Sequence, residues 1–502
     1  MNLIIRTDAS IEIGTGHLMR CLALAQVCQN AGYQPIFMMA NAVPVLEQRL
    51  LSERMKIIRL SASIGTVEDA QETANRAKEL NANWIVLDGY NFGEQYQQVI
   101  KSYGIRLLFI DDYGHANYYY ADLILNHNIY ANEAMYPNRD VDTELLLGTG
   151  YTLLRSEFLQ WKGWERSLCS KANKILVTLG GSDADNVTLK VIQALQLVAI
   201  DELEAIVVVG GSNPHYEQLR LASQNSQFPI RLEKNVTNMP ELMAWADVAI
   251  TAGGSTCWEL AFMGLPSVIL ILAENQRAIA QKLDQMKVSI NLGWHEDVSI
   301  SEIALAISDL LIATHIRVEM NQLGQKLIDG QGSKHVFQHL ETKMLKLRLA
   351  CSEDCQLLWE WSNDPEVRAF SFSTKPIPWE DHVEWFQSRL HSSNTILYIG
   401  VAKNDLPVGQ IRYDINGDEA IISISIDKKF RHQGYGYKLI HLGCKKIFSN
   451  SHISLIHAYI KNDNQASIKV FSKAGFKKIG ITKIREYPAF DLVLSRDNFI
   501  GD

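Results

Sequence analysis

Residues 251–270 read TAGGSTCWELAFMGLPSVIL: a strand end, paired glycines, two hydroxyl residues, a helical stretch, a Gly-Leu-Pro stop and a second apolar strand. A strand that passes through a glycine turn into a helix and returns as a strand is a βαβ unit, and that unit implies a parallel sheet. The first N–H groups of such a helix have no intrahelical partner. Gly254, Ser255 and Thr256 therefore present backbone N–H groups and two hydroxyls to an anionic group such as a diphosphate. Glu259 falls one turn later, where a carboxylate can accept hydrogen bonds from two ribose hydroxyls. An ordinary capped helix, with Glu259 only complementing the dipole, explains the Ser and the Glu but leaves the glycine pair without a use.

The same grammar extends to both sides of this unit. KILVTLGGSD (174–183), EAIVVVGGS (204–212), IRLEKNV (230–236), ADVAIT (246–251) and SVILIL (267–272) form one series. An earlier series runs through NLIIRTD, PIFMM, KIIRL, a helical pattern near 68–80, WIVLDGY (84–90), RLLFIDD (106–112) and ADLILNH (121–127). Strands alternating with helices in this way predict an α/β protein with two Rossmann-like domains facing across a cleft. The periodicity breaks in YTLLRSEFLQWKGWERSLCSKAN (151–173), which places the joint and gives domains 1–155 and 156–343. From about 345 the pattern changes to LRLACSEDCQLLWEWSNDPEV followed by ILYIGVA, PVGQIRYD and EAIISISID, antiparallel strand candidates that predict a separate α+β domain over 345–502.

Composition bounds the function. A chain of 502 residues accommodates about three domains of roughly 150 residues. Hydrophobic content of 47% and charge of 21% are ordinary for a globular protein, and a net charge of -8 argues against a nucleic-acid partner. MNLIIRTD carries no basic region leading into an apolar run, and SVILILA (267–273) is too short to span a bilayer, so a cytoplasmic protein with no membrane partner is expected. The seven cysteines contain no C-x-x-C pair, and Cys351 and Cys355 have no neighbouring His or Cys to complete a zinc site, so no metal is expected. Nothing in the pattern indicates an oligomeric state.

In open parallel sheets ligands bind beyond the carboxyl ends of the strands, and the loop after the first strand, RTDASIEIGTGH, holds that position. Gly14 and Gly16 permit close backbone approach, and His17 opens the following helix, where an imidazole can take a proton near neutral pH. A His that only caps its helix is the plain alternative.

Two resemblances sharpen these readings. The GGST-x-x-E arrangement with GLP and ENQ (274–276) resembles the nucleotide-binding half of GT-B glycosyltransferases, especially the peptidoglycan N-acetylglucosaminyltransferase. The opening R-x-D-x-S-x-x-I-G-x-G-H-x-x-R-C-L-A-L-A, with IDD (110–112), DLILNHN (122–128) and YTLLRSEF (151–158), resembles the UDP-2,4-diacetamido-2,4,6-trideoxy-β-L-altropyranose hydrolases of pseudaminic acid biosynthesis over residues 1 to about 343. That resemblance implies a GT-B-like enzyme in which water replaces the sugar acceptor and the anomeric centre is inverted. It makes His17 the general base, with Asp8 and Arg20 orienting water or sugar and anchoring the loop. UDP leaves readily, so no strong acid and no carboxylate pair is required. It further implies that Gly181, Ser182 and Asp183 line the cleft, that the backbone at Asn235 and Val236 reads uracil, and that Ser255 and Thr256 hold phosphate and Glu259 the ribose. Asn275 and Gln276 join the substrate set, and Tyr90, Asn126 and Arg155 are candidate sugar contacts. Asp88, Asp111 and Asp112 end strands, where carboxylates serve chemistry and helix capping alike.

In the last third, ISISIDKKFRHQGYGYKLIHLGCKKIF (424–448) joins a strand to a helix through Arg431, Gln433, Gly434, Tyr435 and Gly436, and HAYIKNDNQASIKVFSKAGFKKIG (457–480) follows with Asn464, Ser467 and Phe471. Together they resemble the GNAT acetyltransferases over about 345–498. The resemblance implies that splayed strands admit the pantetheine arm of acetyl-CoA, that the R-x-x-G-x-G loop binds its pyrophosphate, and that Ile426, Arg431, Gln433, Gly434, Tyr435, Gly436, Asn464, Ser467 and Phe471 line the cofactor. Many members carry a Tyr as thiolate-protonating acid where this chain has Phe471; Tyr459, Tyr487 or water is left as donor, and Glu419 or Tyr413 as a group near the amine.

Acetylation of the 4-amino group and removal of UDP are consecutive steps in that pathway, so a bifunctional enzyme is the expected sum. A true GT-B glycosyltransferase fused to a protein N-acetyltransferase, which WSNDPEV near the start of the last domain also permits, and a UDP-sugar sensor with an acetyltransferase output are the rivals.

Overall fold

The computed structural model describes residues 2–10, 15–41, 44–234, 236–402 and 405–499. It divides into two units, 1–337 and 338–502. The first unit holds two sheets. Strands β1 (Asn2–Thr7), β2 (Gln34–Met39), β3 (Lys56–Arg59), β4 (Ala82–Asp88), β5 (Arg106–Ile110), β6 (Leu123–Asn126) and β7 (Glu144–Leu147) pair in the order β3-β2-β1-β4-β5-β6-β7, parallel throughout. Strands β8 (Lys174–Thr178), β9 (Glu204–Val209), β10 (Ile230–Lys234), β11 (Val248–Ala252), β12 (Ser267–Ile271) and β13 (Ile290–Trp294) pair in the order β10-β9-β8-β11-β12-β13, again all parallel.

Continuous apolar runs such as LIIR and SVILI read as central strands because helices cover both faces of a parallel sheet. Leu3, Ile4, Ile5 and Val268 to Leu270 are sealed accordingly. The helix Gly16–Asn30 is submerged along most of its length by its Leu and Ala residues, and His17 and Arg20 go under with it. Each sheet reverses its strand order once, between β1 and β4 and between β8 and β11. The connections leaving those strands in opposite directions open a crevice at their carboxyl ends. Residues 8–10, 15–16 and 88–90 flank the first crevice, and residues 179–186 and 252–256 the second.

The second unit is built on one mixed sheet. Its strands β14 (Lys346–Leu349), β15 (Thr395–Val401), β16 (Pro407–Asn416), β17 (Glu419–Ile426), β18 (Leu455–Lys461), β19 (Lys477–Ile484) and β20 (Tyr487–Ser495) pair in the order β14-β15-β16-β17-β18-β20-β19. All pairs are antiparallel except β17 with β18, which are parallel over three residue pairs. The helix Tyr435–Asn450 covers one face with Leu439, Ile440, Cys444 and Ile447 on Val408, Ile411 and Tyr413. Leu358, Trp361 and Phe386 cover Leu397, Ile399 and Val401 on the other. Among the described residues no helix is long and apolar enough to cross a membrane.

Gly210 is where the second sheet tolerates no side chain, because a Cβ there would lie 2.1 Å from the Gly181 carbonyl oxygen. That neighbour is backbone, so Gly210→Ala is expected to displace the 179–186 loop and to destabilise the first unit by about 2 kcal/mol. Chemical denaturation checks this; an unchanged midpoint rejects the tight approach.

Candidate functional site

The first crevice gathers charge in an apolar setting. His17 Nδ1 donates to Asp88 Oδ1 at 2.6 Å, and Arg20 donates to both oxygens of Asp88, from Nη2 and Nε, at 2.7 Å each. Arg20 Nη1 and Nη2 also reach Asp112, at 2.6 and 3.1 Å. The Asp88 contact assigns the imidazole proton to Nδ1 and leaves the Nε2 lone pair as the acceptor. Tyr90 stands edge-on to the His17 ring at 4.8 Å, donates to Asp112 Oδ2 at 2.8 Å and receives Asn275 Nδ2 at 3.1 Å from the loop after β12. Burial pushes the Asp88 carboxyl upward, but Arg20 and His17 outweigh it and hold it at about 2. Asp112 shares the burial and the Arg20 charge and falls far below the usual carboxylate range. Burial, reinforced by Arg20, pulls the neighbouring His127 down to about 4 and keeps it neutral. The arrangement is a carboxylate-oriented imidazole, able to accept a proton at Nε2 and to be stabilised once it has done so.

Several expected contacts turn out to be framework. Arg20 is engaged by the two carboxylates and through Asp88 positions His17. Asp8 accepts from the Ala40 and Asn41 N–H groups at 2.8 Å each and pairs with Arg6, which also grips Asp69; it anchors the loop, and its expected role toward water is withdrawn. Asn126 is fully buried, donating to the Asp112 carbonyl and Tyr136 hydroxyl at 2.9 Å each, which removes it from the sugar contacts. Gly14 and Asn235 lie outside the described residues. Asp88, the partner that makes His17 useful, was legible only as a strand-ending acid in WIVLDGY.

The second crevice lies against the first. A Cβ on Gly181 would come within 2.9 Å of the Thr15 side chain, and one on Gly16 within 3.9 Å of Ser255 Oγ, so the glycine loops of the two sheets meet. Ser255 and Thr256 head the helix Thr256–Phe262, with no side-chain cap on its first N–H groups, and a Cβ on Gly254 would meet nothing within 4 Å. Glu259 Oε1 accepts from Arg155 Nη2 at 2.8 Å, and Arg155 Nη1 pairs with Glu157 at 2.9 Å. Arg155 therefore orients Glu259, which corrects its reading as a sugar contact. Asp183 caps the helix Val187–Leu195 through Val187 N at 2.8 Å and Thr188 N at 3.0 Å, so both its oxygens are occupied. Gln276 Oε1 ties Gly253 N to Leu272 N and is likewise structural. Ser182 is half-buried beside Asp183, and Val236 is half-buried in the apolar layer under the second sheet.

In the second unit, the turn before the helix Tyr435–Asn450 requires φ of +60° at His432 and +84° at Gly434, which aims the helix N-terminus past the end of β17. Arg431 donates to the Ile426 carbonyl at 3.1 Å, to Glu366 at 2.6 Å and to Asp364 at 2.8 Å. Two carboxylates hold its guanidinium, so in this structure it fastens the loop to WSNDPEV and is not the expected free phosphate ligand. Gln433 Nε2 donates to the Lys429 carbonyl. Tyr435 is buried edge-on to Phe430, leaving only its backbone for a cofactor, and Gly436 packs near Val470. Asn464 caps the helix Gln465–Lys473 through Ser467 N at 3.1 Å. Phe471 is buried against Phe476 and offers no proton. Tyr413 is in the core with its hydroxyl on Cys444, which removes it from the amine side.

Comparison with known proteins agrees with both halves. The model of the glycosyltransferase family 28 C-terminal domain matches residues 174–323, and that of the acetyltransferase (GNAT) domain matches residues 344–477. The crystal structure of MurG from Acinetobacter baumannii shares the fold of the first part, with a TM-score of 0.50 at 16% identity over 68% of this chain and 99% of its own. The chain is thus a GT-B-like pair of parallel-sheet domains followed by a GNAT-like mixed-sheet domain. An uncharacterised protein of Methanocaldococcus jannaschii is 27% identical over 497 residues, 95% of this chain and 97% of its own. The UDP-2,4-diacetamido-2,4,6-trideoxy-β-L-altropyranose hydrolase of Campylobacter jejuni is 26% identical over 284 residues, 56% of this chain and 95% of its own. The acetyltransferase PseH of the same species is 26% identical over 125 residues, 25% of this chain and 78% of its own. The chain therefore resembles a UDP-sugar hydrolase over its first part and an acetyltransferase over its last.

The depressed Asp88 carboxyl carries a pH signature. Its pKa falls from 3.8 to about 2 on folding, so its stabilising contribution is present above pH 3.8 and is lost as pH falls through about 2. Asp88→Asn is expected to lower stability at pH 7, with a penalty that shrinks between pH 4 and pH 2. Denaturation curves across that range decide it, and a penalty that stays constant with pH excludes an ionised Asp88.

Proposed function

We propose that the chain is a bifunctional nucleotide-sugar enzyme that acts in pseudaminic acid biosynthesis. Its GT-B-like part hydrolyses UDP-2,4-diacetamido-2,4,6-trideoxy-β-L-altropyranose to UDP and the free sugar, and its GNAT part transfers acetyl from acetyl-CoA to the 4-amino group of the UDP-linked precursor. The boundaries 155/156 and 343/345 separate the modules in this reading. The observation that carries it is the His17–Asp88 pair at one crevice, set against the uncapped helix at Ser255 and Thr256 of the other.

The steps follow from those positions. His17 Nε2 takes a proton from water as the water oxygen attacks the anomeric carbon, while Asp88 holds the Nδ1 proton and balances the imidazolium. The bond from the anomeric carbon to UDP breaks, and the helix N-terminus at Ser255 and Thr256 receives the charge on the departing diphosphate. Attack opposite the leaving group inverts the centre. Glu259, steadied by Arg155, accepts the ribose hydroxyls, and Tyr90 walls the sugar side. The reaction needs no metal, since UDP is stable as an anion. In the second module the helix N-terminus at Gly434–Gly436 faces the pyrophosphate of acetyl-CoA.

The test follows UDP release from the diacetamido sugar nucleotide by wild type and His17→Ala, with UDP binding measured in parallel. Release should fall at least about 100-fold while UDP affinity stays within a few fold. Absence of release from the wild type returns this part to a glycosyltransferase or a sensor, and release that survives His17→Ala removes His17 as the base.

A further inference from the structure

Acetyl transfer to an amine needs a base and a proton donor, and Phe471 supplies neither. The sheet of the second unit offers the place for both. β17 and β18 pair through Glu419 with Leu455, Ala420 with Ile456 and Ile421 with His457, and then diverge. Beyond that point, among the described residues, no strand pairs with the β17 backbone from Ile422 to Ile426 on its β18 side. An extended arm can add to such an edge by main-chain hydrogen bonds, as a strand does. An arm entering at Ile426, beside the turn that opens the helix Tyr435–Asn450, runs about 17 Å along five residues and ends where the strands rejoin, at Ile421 and His457.

His457 is prepared for that position. Along β18 the side chains of Ile456, Ala458 and Ile460 enter the core, while those of His457 and Tyr459 alternate to the other face. His457 Nδ1 lies 3.0 Å from Asp491 Oδ1 on β20, which assigns its proton to Nδ1. Nε2 is buried with no hydrogen-bond partner, and Glu419 Oε2 stands 3.8 Å from it, too far to satisfy it. A buried unpaired imidazole nitrogen is unfavourable unless something else occupies it. Tyr459 stacks on the His457 ring at 5.9 Å; burial first, then Asp491 and Glu419, push its phenol up, so it keeps its proton. The other open tyrosine, Tyr487, has the Lys461 ammonium over its ring at 4.0 Å.

We propose that His457 is the catalytic base of the acetyl-transfer site and Tyr459 its proton donor, acting on a primary amine drawn in by Glu419. The inference rests on the acetyl-CoA reading of this unit. The amine nitrogen attacks the acetyl carbonyl carbon, a C–N bond forms and the C–S bond breaks. His457 Nε2 takes the proton the nitrogen loses, and the CoA sulfur takes the Tyr459 proton. Solvent then removes the first and replaces the second, so amine and acetyl-CoA become amide and CoA thiol.

The experiment measures CoA thiol release by the full chain with acetyl-CoA and each of three amines: the 4-amino UDP-sugar, spermidine and an unblocked peptide. The dissociation constant for CoA serves as the control for folding. On whichever amine the wild type prefers, His457→Gln should lower kcat at least about 100-fold and Tyr459→Phe about 10-fold, with CoA affinity unchanged. Glu419→Gln should raise the KM for the amine about 10-fold. A kcat within 3-fold of wild type in His457→Gln overturns the assignment. A wild type that prefers spermidine or the peptide removes the sugar-amine reading above, and the same His457 comparison on that amine still decides this one; a wild type that acetylates none of the three overturns both.

Discussion

The cleft of the first unit depends on one buried cation. Arg20 sits on a helix buried largely through Leu, Ala and Cys and gives its guanidinium to Asp88 and Asp112, which end or follow neighbouring strands of the first sheet. Desolvation drives both carboxyls upward, and the Arg20 charge is the largest of the effects that bring them down again. The same fork fixes where Asp88 points, and Asp88 in turn fixes the His17 ring. Removing one member of such a group leaves an uncompensated buried charge at a cost of about 3–5 kcal/mol. The imidazole is therefore held as rigidly as the core beneath it.

A second constraint is the closeness of the two crevices. Gly181 leaves no room for a side chain against Thr15 of the facing loop, Gly16 comes within van der Waals distance of Ser255 Oγ, and Gly210 is closed off by the Gly181 backbone of its own sheet. The Asn275–Tyr90 hydrogen bond crosses the same gap and continues through Asp112 to Arg20. An unbroken chain of hydrogen bonds thus links the loop after β12 to the group that orients His17. Small residues at the seam and a polar bridge beside it allow water-excluding contact while leaving the uncapped helix at Ser255 and Thr256 open.

Much of this could be read from the sequence. The two parallel series and the later mixed sheet followed from apolar runs separated by helical spacing, and the strand–glycine–helix signals at 14–17 and 253–256 marked the crevices. What escaped was of two kinds. Weakly apolar or short strands such as β7 (ELLL), β13 (INLGW) and β19, whose residues are largely exposed, have little pattern of their own and form because a neighbour's edge recruits them. The framework bonds made by polar residues near a glycine turn were not legible either. Asp183, Gln276, Asn126, Asn464 and Arg431 all have the right chemistry, yet each satisfies a backbone group or a carboxylate that sharp turns leave exposed. Loops that bind ligands must themselves be tied down, and spacing alone does not distinguish the tie from the contact.

The two units solve a shared problem from one topological fact. Parallel strands cannot be joined by a tight turn, so a helix must cross over, and its N-terminus then lies beside the carboxyl end of the strand it leaves. In the first unit helices follow β1, β4, β8 and β11 in this way, and the reversal of order gathers two such ends into each crevice. In the second it happens between β17 and β18, the parallel pair of an otherwise antiparallel sheet, and the crossover is the helix Tyr435–Asn450. The glycine turn and the gap between the strands are thus consequences of the same connection: a tight hairpin at that point would close the gap and remove the helix N-terminus together. The inserted parallel pair is what converts a sheet of hairpins into one with an open backbone edge that begins beside His457.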